Sequence, residues 1–575
     1  LETNLIVFSK FQKFNHKEVG KMAKIRRSIG GAGTGKTRLI LDSLSEAKAE
    51  MGLGVHQIGF ATFTRAGRAE IAHRAAEAWG VDPEALTRTG WFRTAHSIAH
   101  KQCGVADGQL IQGQEGDEWT SKAVGGKVAS RSDARGDRNY IVSDSDPTVA
   151  LSLKAWELAR SRMTSIETVI NRLEECGEQA PGVPDARRVI AAYESAKNRE
   201  SRLDYTDMIA RFAGVRFHVD GPIDCEPEGS PPEGLRVLAI DEAQDSSTLV
   251  DRVCRRLASS PGVERIWLTG DPYQSIHSFA GGDYRHFLSW DAEESIMPRS
   301  YRCPIAVLNL GEKCLRQMKR GYRDRKIMPA SHDGSVGRVG GIEEAISRLR
   351  PDSSALILGR CTYALEEYEA TLIARGLPYA WADKAGPSAA LSGYAALWDL
   401  QHGRTITGDA WSGAVQQIAV KHADYGDLLT RGAKTAWKDG RMSNIDLIRP
   451  VEEDFALIGA TPALQKLIMT GRWNVAMESK SLDKADRWLA TATKYGQDAA
   501  TNPKIRLSTI HGAKGLEADT VICSSITSPS VERGRLSMDD LHDEECRVAY
   551  VAVTRARRDF LLVDDGNRYR MELPL

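Results

Sequence analysis

The sequence predicts an α/β protein with parallel sheets, and three segments carry that expectation. Gly30-Gly31-Ala32-Gly33-Thr34-Gly35-Lys36-Thr37 has the phosphate-loop spacing GxxxxGK[ST] and opens an apolar-periodic helix through Leu39, Ile40 and Leu44. Leu235–Ile240 reads as a short buried strand, and Asp241-Glu242-Ala243-Gln244-Asp245 follows at its C-terminal end, where parallel sheets gather their chemistry. A third strand-like run, Ile266–Thr269, ends in Gly270-Asp271-Pro272-Tyr273-Gln274-Ser275-Ile276-His277-Ser278-Phe279.

Each segment has a chemical reading and a plainer one. Glycines in the first let backbone N–H groups close around phosphate oxygens, the helix N-terminus adds positive potential, Lys36 reaches the β/γ phosphates and Thr37 holds Mg²⁺. A Gly-rich turn is the plain alternative. In the second, one acid holds Mg²⁺ through water and the next polarises the attacking water. An acidic N-cap on a surface helix is the alternative, but it does not explain a phosphate loop in the same chain. In the third, Gln274 is placed to sense the γ-phosphate and Phe279 offers a flat apolar face, against a turn followed by a buried aromatic.

The 575 residues predict about four domains, or two large ones carrying insertions, at roughly 150 residues per domain. With 42% apolar and 27% charged residues, the chain is neither wholly disordered, collagen-like nor membrane-embedded. Lys plus Arg and Asp plus Glu both number 77, which excludes a globally basic nucleic-acid coat and leaves room for a local basic channel. The nine cysteines form no CxxC pair, so free thiols and a cytoplasmic location are expected rather than a zinc or iron–sulfur site. No apolar run approaches 18 residues, so neither a membrane span nor a signal peptide is expected. Leu1 stands where an initiator Met is usual, which suggests a truncated, processed or unusually initiated N-terminus.

Further segments extend the pattern: Thr62-Phe63-Thr64-Arg65-Ala66, Thr94-Ala95-His96-Ser97, Ser300-Tyr301-Arg302-Cys303-Pro304, Leu507–Glu517 and Val548–Ala556. Taken in order, the set resembles the superfamily 1 DNA helicases of the UvrD/Rep type, and it spans nearly the whole chain. The resemblance implies two RecA-like phosphate-loop motor domains with parallel sheets, each carrying a mainly helical insertion. Residues 29–103 and 201–288 are assigned to the first motor and 104–200 to its insertion. Residues 289–385 and 501–575 are assigned to the second motor and 386–500 to its insertion. Residues 1–28 stay unassigned.

The resemblance also implies site roles. ATP lies along Gly33, Thr34, Gly35, Lys36, Thr37 and Arg38; Thr37 and Asp241 hold Mg²⁺, Glu242 directs the attacking water, and Gln274 couples. Tyr301 stacks on adenine and Glu517 meets ribose. Arg302 and Arg555 reach across from the second motor as arginine fingers, each typically worth about 10³–10⁵ in rate. Phe63, Thr94, His96, Phe279, Arg360 and His511 contact DNA. The implied activity is ATP-dependent 3′-to-5′ movement on single-stranded DNA with duplex unwinding. The implied partners are single-stranded DNA, single-strand/duplex junctions and a protein partner in repair, replication or defence, with no membrane. A second reading is a nucleic-acid-stimulated ATPase switch that needs a partner nuclease or replication protein. A phosphate-loop kinase or metabolic NTPase explains neither the acidic box nor the His511 and Arg555 segments.

The chain departs from the family at several points. Lys24-Ile25-Arg26-Arg27-Ser28 puts three cations where an apolar strand belongs, Gln12 is the only upstream Gln, and Phe279 replaces the usual Trp. The 386–500 insertion is short, and its five tryptophans are expected to be mostly core. Arg316, Lys319, Arg320, Arg323, Arg325 and Lys326 form a basic run read equally as a nucleic-acid contact or a solvated helix face.

Overall fold

A computed structural model describes residues 23–575 apart from 64, 89, 133–137, 350–352, 383–388, 443, 565, 567–568 and 572. Gln12, Thr64 and the first residues of the second insertion thus lie outside the described residues. The chain divides into two compact units: residues up to His332 with Pro529–Val551, and Asp333–Ser528 with Ala552–Leu575. Among the described residues no helix is long and apolar enough to cross a membrane.

The first unit is built on a six-stranded parallel sheet. Its strands are β1 (Lys24–Ile29), β2 (Ile58–Thr62), β3 (Trp91–Thr94), β4 (Val237–Ile240), β5 (Arg265–Gly270) and β6 (Glu293–Ile296), in the order β6-β1-β5-β4-β2-β3. β2 and β4 are buried at every position, as sheet interiors covered on both faces require.

Two expectations are corrected here. Residues 24–28, left unassigned by sequence, form a strand of this sheet, and the second motor does not begin at residue 289, because β6 pairs with β1. The physical reason is charge complementarity at one register: Arg26 lies opposite Glu293 and Arg27 opposite Glu294. Arg27 is buried, donating to Glu294 Oε2 at 3.0 Å and to the Trp290 carbonyl at 2.7 Å. Its cations therefore belong on a strand next to an acidic edge. Arg27→Met is expected to cost about 1.5–3 kcal/mol, the range for hydrogen bonds to a charged group, measured by urea denaturation.

The insertion after residue 103 has its own core, running from Ile111 to Tyr193 around Trp156. It is tied to the sheet by a buried charge cluster. Arg160 donates to both Asp204 oxygens at 3.0 and 2.9 Å, and Lys197 reaches Asp207 at 2.7 Å. Asp204 and Asp207 form the capping box of the helix Tyr205–Ala213, where the motor chain resumes. Burial and then the Asp204 charge push Asp207 up to about 6, while burial is outweighed at Asp204 by Arg160 and Lys197, which hold it well below the carboxylate range.

The second unit repeats the plan. β7 (Ser335–Val339), β8 (Ala355–Gly359), β9 (Tyr379–Trp381), β10 (Ile505–Thr509), β11 (Ala518–Ser524) and β12 (Ala556–Val563) form a parallel sheet in the order β7-β12-β11-β8-β10-β9. Its insertion packs a separate core from Tyr394 to Ala500. Trp411, Trp437, Trp473 and Trp488 are buried in it and Trp398 packs against it, so these rings are core.

Candidate functional site

The phosphate loop leaves β1 at Ile29 and enters the helix Lys36–Met51. Gly33 and Gly35 adopt φ of 68° and 85°, where a side chain is strained. A Cβ on Gly33 would also meet the Arg302 Cβ at 2.3 Å. This close approach exists because the 300–302 segment supports the loop: Ser300 Oγ donates to the Ala32 carbonyl at 2.7 Å, and the Tyr301 N–H to the Gly33 carbonyl at 2.8 Å. Thr34 is buried, Thr37 half-buried and Arg38 exposed. Lys36 Nζ donates to the Gly30 carbonyl at 3.2 Å and lies 3.9 Å from Glu242.

The acidic pair stands at the end of β4. Asp241 is buried and accepts from Thr269 Oγ1 at 2.6 Å. Burial, and after it the Glu242 charge, push its carboxyl up to about 6. Glu242 takes φ 52°, a left-handed conformation rare outside glycine that turns its side chain away from the strand direction. Gln244 Nε2 donates to Glu242 Oε2 at 2.5 Å, and Gln244 Oε1 accepts from the Asp271 N–H at 3.0 Å.

Asp271, completely buried, joins several parts of the site. Gln274 Nε2 donates to its Oδ2 at 2.9 Å, Arg325 Nη1 to its Oδ1 at 2.7 Å, and the Tyr550 hydroxyl to Oδ2 at 3.3 Å. The same hydroxyl accepts from the Ala32 N–H at 3.1 Å, and Arg325 Nη2 also reaches Glu312 at 2.9 Å. One hydrogen-bonded path thus runs from the phosphate loop through Tyr550, Asp271 and Gln244 to Glu242, with Gln274 on a branch.

Sequence reasoning missed Arg325 and Tyr550. Arg325 belongs to the basic run that reads equally as a nucleic-acid contact or a solvated helix face, but much of that run is paired within the protein: Lys319 and Arg320 bind Asp539, and Arg323 binds Glu294. Arg302 also needs correction, since its segment packs on the phosphate loop within the first unit instead of arriving from the second. Tyr301, expected to stack on adenine, is 72% exposed beside the loop.

In the second unit, Arg555 is buried and donates to the Leu516 carbonyl at 3.2 Å. Glu517, expected to meet ribose, accepts from Arg557 Nε at 2.9 Å.

Four of the six nucleic-acid candidates fall into two like-placed pairs. β2 and β3 align Thr62 with Thr94, which brings Phe63 and Thr94 to the carboxyl end of neighbouring strands. β8 and β10 align Gly359 with Thr509, and the Ile510 N–H donates to the Gly359 carbonyl at 2.9 Å, placing Arg360 and His511 at the equivalent end. Thr94 is buried and caps the helix Ala95–Cys103 by accepting from the Ser97 N–H at 3.2 Å. His96 is half-buried and edge-on to Tyr205, whereas Phe279 is 52% exposed and edge-on to His277.

Two parallel-sheet units, the first carrying a glycine-bound phosphate loop beside a strand-terminal Asp-Glu pair, define a phosphate-loop protein with a duplicated motor-type fold. The chain belongs to the UvrD/Rep helicase family of ATP-dependent DNA helicases. Residues 15–294 match the UvrD/REP helicase N-terminal domain and residues 482–563 the UvrD-like helicase C-terminal domain, together more than half of the chain. It is 24% identical to the ATP-dependent DNA helicase UvrD2 of Mycobacterium tuberculosis over 579 residues, covering 92% of this chain and 75% of that protein. It is also 21% identical to DNA helicase II of Escherichia coli over 324 residues, 53% of this chain and 40% of that one. A shorter match, 29% over 154 residues, is to RecBCD enzyme subunit RecB of Mycolicibacterium smegmatis, 26% of this chain and 14% of that protein.

Proposed function

We propose that this protein hydrolyses Mg-ATP and uses the energy to move 3′ to 5′ along single-stranded DNA and open the duplex ahead. The observation that carries the reading is the hydrogen-bonded path linking the phosphate loop to Glu242 and Gln274, because a motor must convert the γ-phosphate's presence into a mechanical signal. Lys36 neutralises β/γ phosphate charge, Glu242 orients the attacking water, and Gln274 reports on the γ-phosphate through Asp271. Tyr301 provides the adenine platform. On the strength of its motif, Arg555 is assigned to transition-state charge and Glu517 to the ribose.

Mg²⁺ fits the donors present. Thr37 and Asp241 offer hard oxygen ligands, and the adjacent carboxylates of Asp241 and Glu242 supply negative charge that a dication offsets. Mg²⁺ commonly completes its shell with substrate phosphates and water, so few protein ligands suffice. When bound it would neutralise phosphoryl charge; Thr37 and Asp241 would hold it.

Phe63, Thr94, His96 and Phe279 on the first unit and Arg360 and His511 on the second are proposed to grip the strand, with base stacking worth about 1–3 kcal/mol per aromatic. The match to a subunit of a multi-subunit enzyme favours one alternative, an ATPase switch that unwinds only with a partner. Strand displacement on duplexes with a 3′ or a 5′ tail separates these readings. Unwinding of the 3′-tailed duplex alone is expected, with Glu242→Gln inactive. Unwinding from the 5′ tail reverses the polarity, and nucleic-acid-stimulated ATPase without unwinding selects the partner-dependent switch.

A further inference from the structure

Edge strand β3 and the two helices beside it carry cations that the roles above leave unused. Arg93, one residue before Thr94, donates through Nη1 to Ser97 Oγ at 3.0 Å and through Nη2 to the Arg88 carbonyl at 3.4 Å. Lys101 Nζ converges on that same carbonyl at 3.2 Å while lying 4.4 Å from the centre of the Trp91 ring. Arg68 belongs to the helix Arg65–Trp79, which packs against this strand.

The cluster is electrostatically unbalanced. Among the described residues none of Arg68, Arg93 and Lys101 forms an ion pair, and the Nε atoms of both arginines are buried without an acceptor. Burial and then the Arg68 charge pull the Arg93 guanidinium below its ordinary range, and burial and then Arg93 do the same to Lys101. Like charges held together without a counter-charge oppose folding, and a bound anion relieves that cost. The neighbouring surface identifies the anion: Ser97 follows His96 on one helix turn, and Thr94 shares the strand with Arg93.

We propose that Arg68, Arg93 and Lys101 form a phosphodiester-binding site that holds backbone phosphates of the nucleic-acid strand passing Thr94 and His96. This inference rests on the nucleic-acid-motor reading and adds a site to it. It contributes affinity without base selectivity, because phosphate contacts position a strand and do not read it.

The test is equilibrium binding of a fluorescent oligothymidylate to the full chain, without nucleotide, across a salt series. Each phosphate neutralised on a single strand contributes about 0.7 to the slope of log affinity against log salt. Lys101→Gln, at an exposed position, should lower the slope by about 0.7, and Arg93→Gln/Lys101→Gln by about 1.4. Lys101→Arg should retain it, and Arg74→Gln, which removes an exposed pair with Glu70, should leave it unchanged. The melting temperature of Lys101→Gln should not fall, because the substitution relieves repulsion. A wild-type slope kept by both glutamine variants overturns the site while leaving the motor reading intact. Wild-type protein that binds no oligonucleotide overturns both.

Discussion

Lys36→Ala is expected to reduce nucleic-acid-stimulated ATP turnover by about 10²–10³-fold or more, the usual loss when a preorganised charge is removed from a developing anion. The geometry makes this a chemical rather than a folding effect. Lys36 Nζ has one carbonyl contact at 3.2 Å and a distant carboxylate at 3.9 Å, so its loss should leave the denaturation midpoint nearly unchanged. Steady-state ATPase assays beside a thermal melt check both halves. A variant that melts early would recast Lys36 as a structural tie. Glu242→Gln supplies the complementary case: it keeps the size and an acceptor for Gln244 while removing the charge, so nucleotide binding should survive and turnover should not.

The second large effect is expected at Arg325, whose loss leaves both Asp271 and Glu312 without their cation. Breaking a buried pair from one side costs about 3–5 kcal/mol, which should appear as a lower urea midpoint. Arg325→Met/Asp271→Asn should recover part of that loss, since no unpaired Asp271 charge remains. Arg325→Lys is a partial replacement only: one ammonium does not reproduce the guanidinium fork that serves Asp271, Glu312 and the Tyr550 hydroxyl together. Because Asp271 also fixes Gln274 and, through Gln244, Glu242, kcat should fall more than KM for ATP rises. An unchanged kcat in folded Arg325→Lys would show that the path is only scaffolding.

The parts of the molecule legible in the sequence are those whose chemistry demands neighbouring residues. A phosphate loop needs its glycines within a few positions of Lys36, and a strand-terminal acid pair is contiguous by construction, so the loop before its helix and the Asp241-Glu242 pair at a strand end are visible in the sequence as they stand in the fold. The boundary near residue 289 is not legible because Glu293-Glu294-Ser295-Ile296 does not look like a strand until Arg26 and Arg27 are laid beside it. Either half is anomalous alone, and only the register makes them complementary. Arg325 was hidden for a similar reason. In a run of six cations its burial depends on Asp271, Glu312 and Tyr550, which lie far away along the chain.

The return of Pro529–Val551 to the first unit also orders assembly in time. Tyr550 is made only after nearly all of the second unit, yet its hydroxyl is the partner that Ala32 and Asp271 share. At about 5–20 residues per second, synthesis from His332 to Val551 takes on the order of 10–40 s, during which the first unit exists without that partner. A nascent chain therefore holds its phosphate-loop sequence long before the distant segment that supplies the hydroxyl between Ala32 and Asp271.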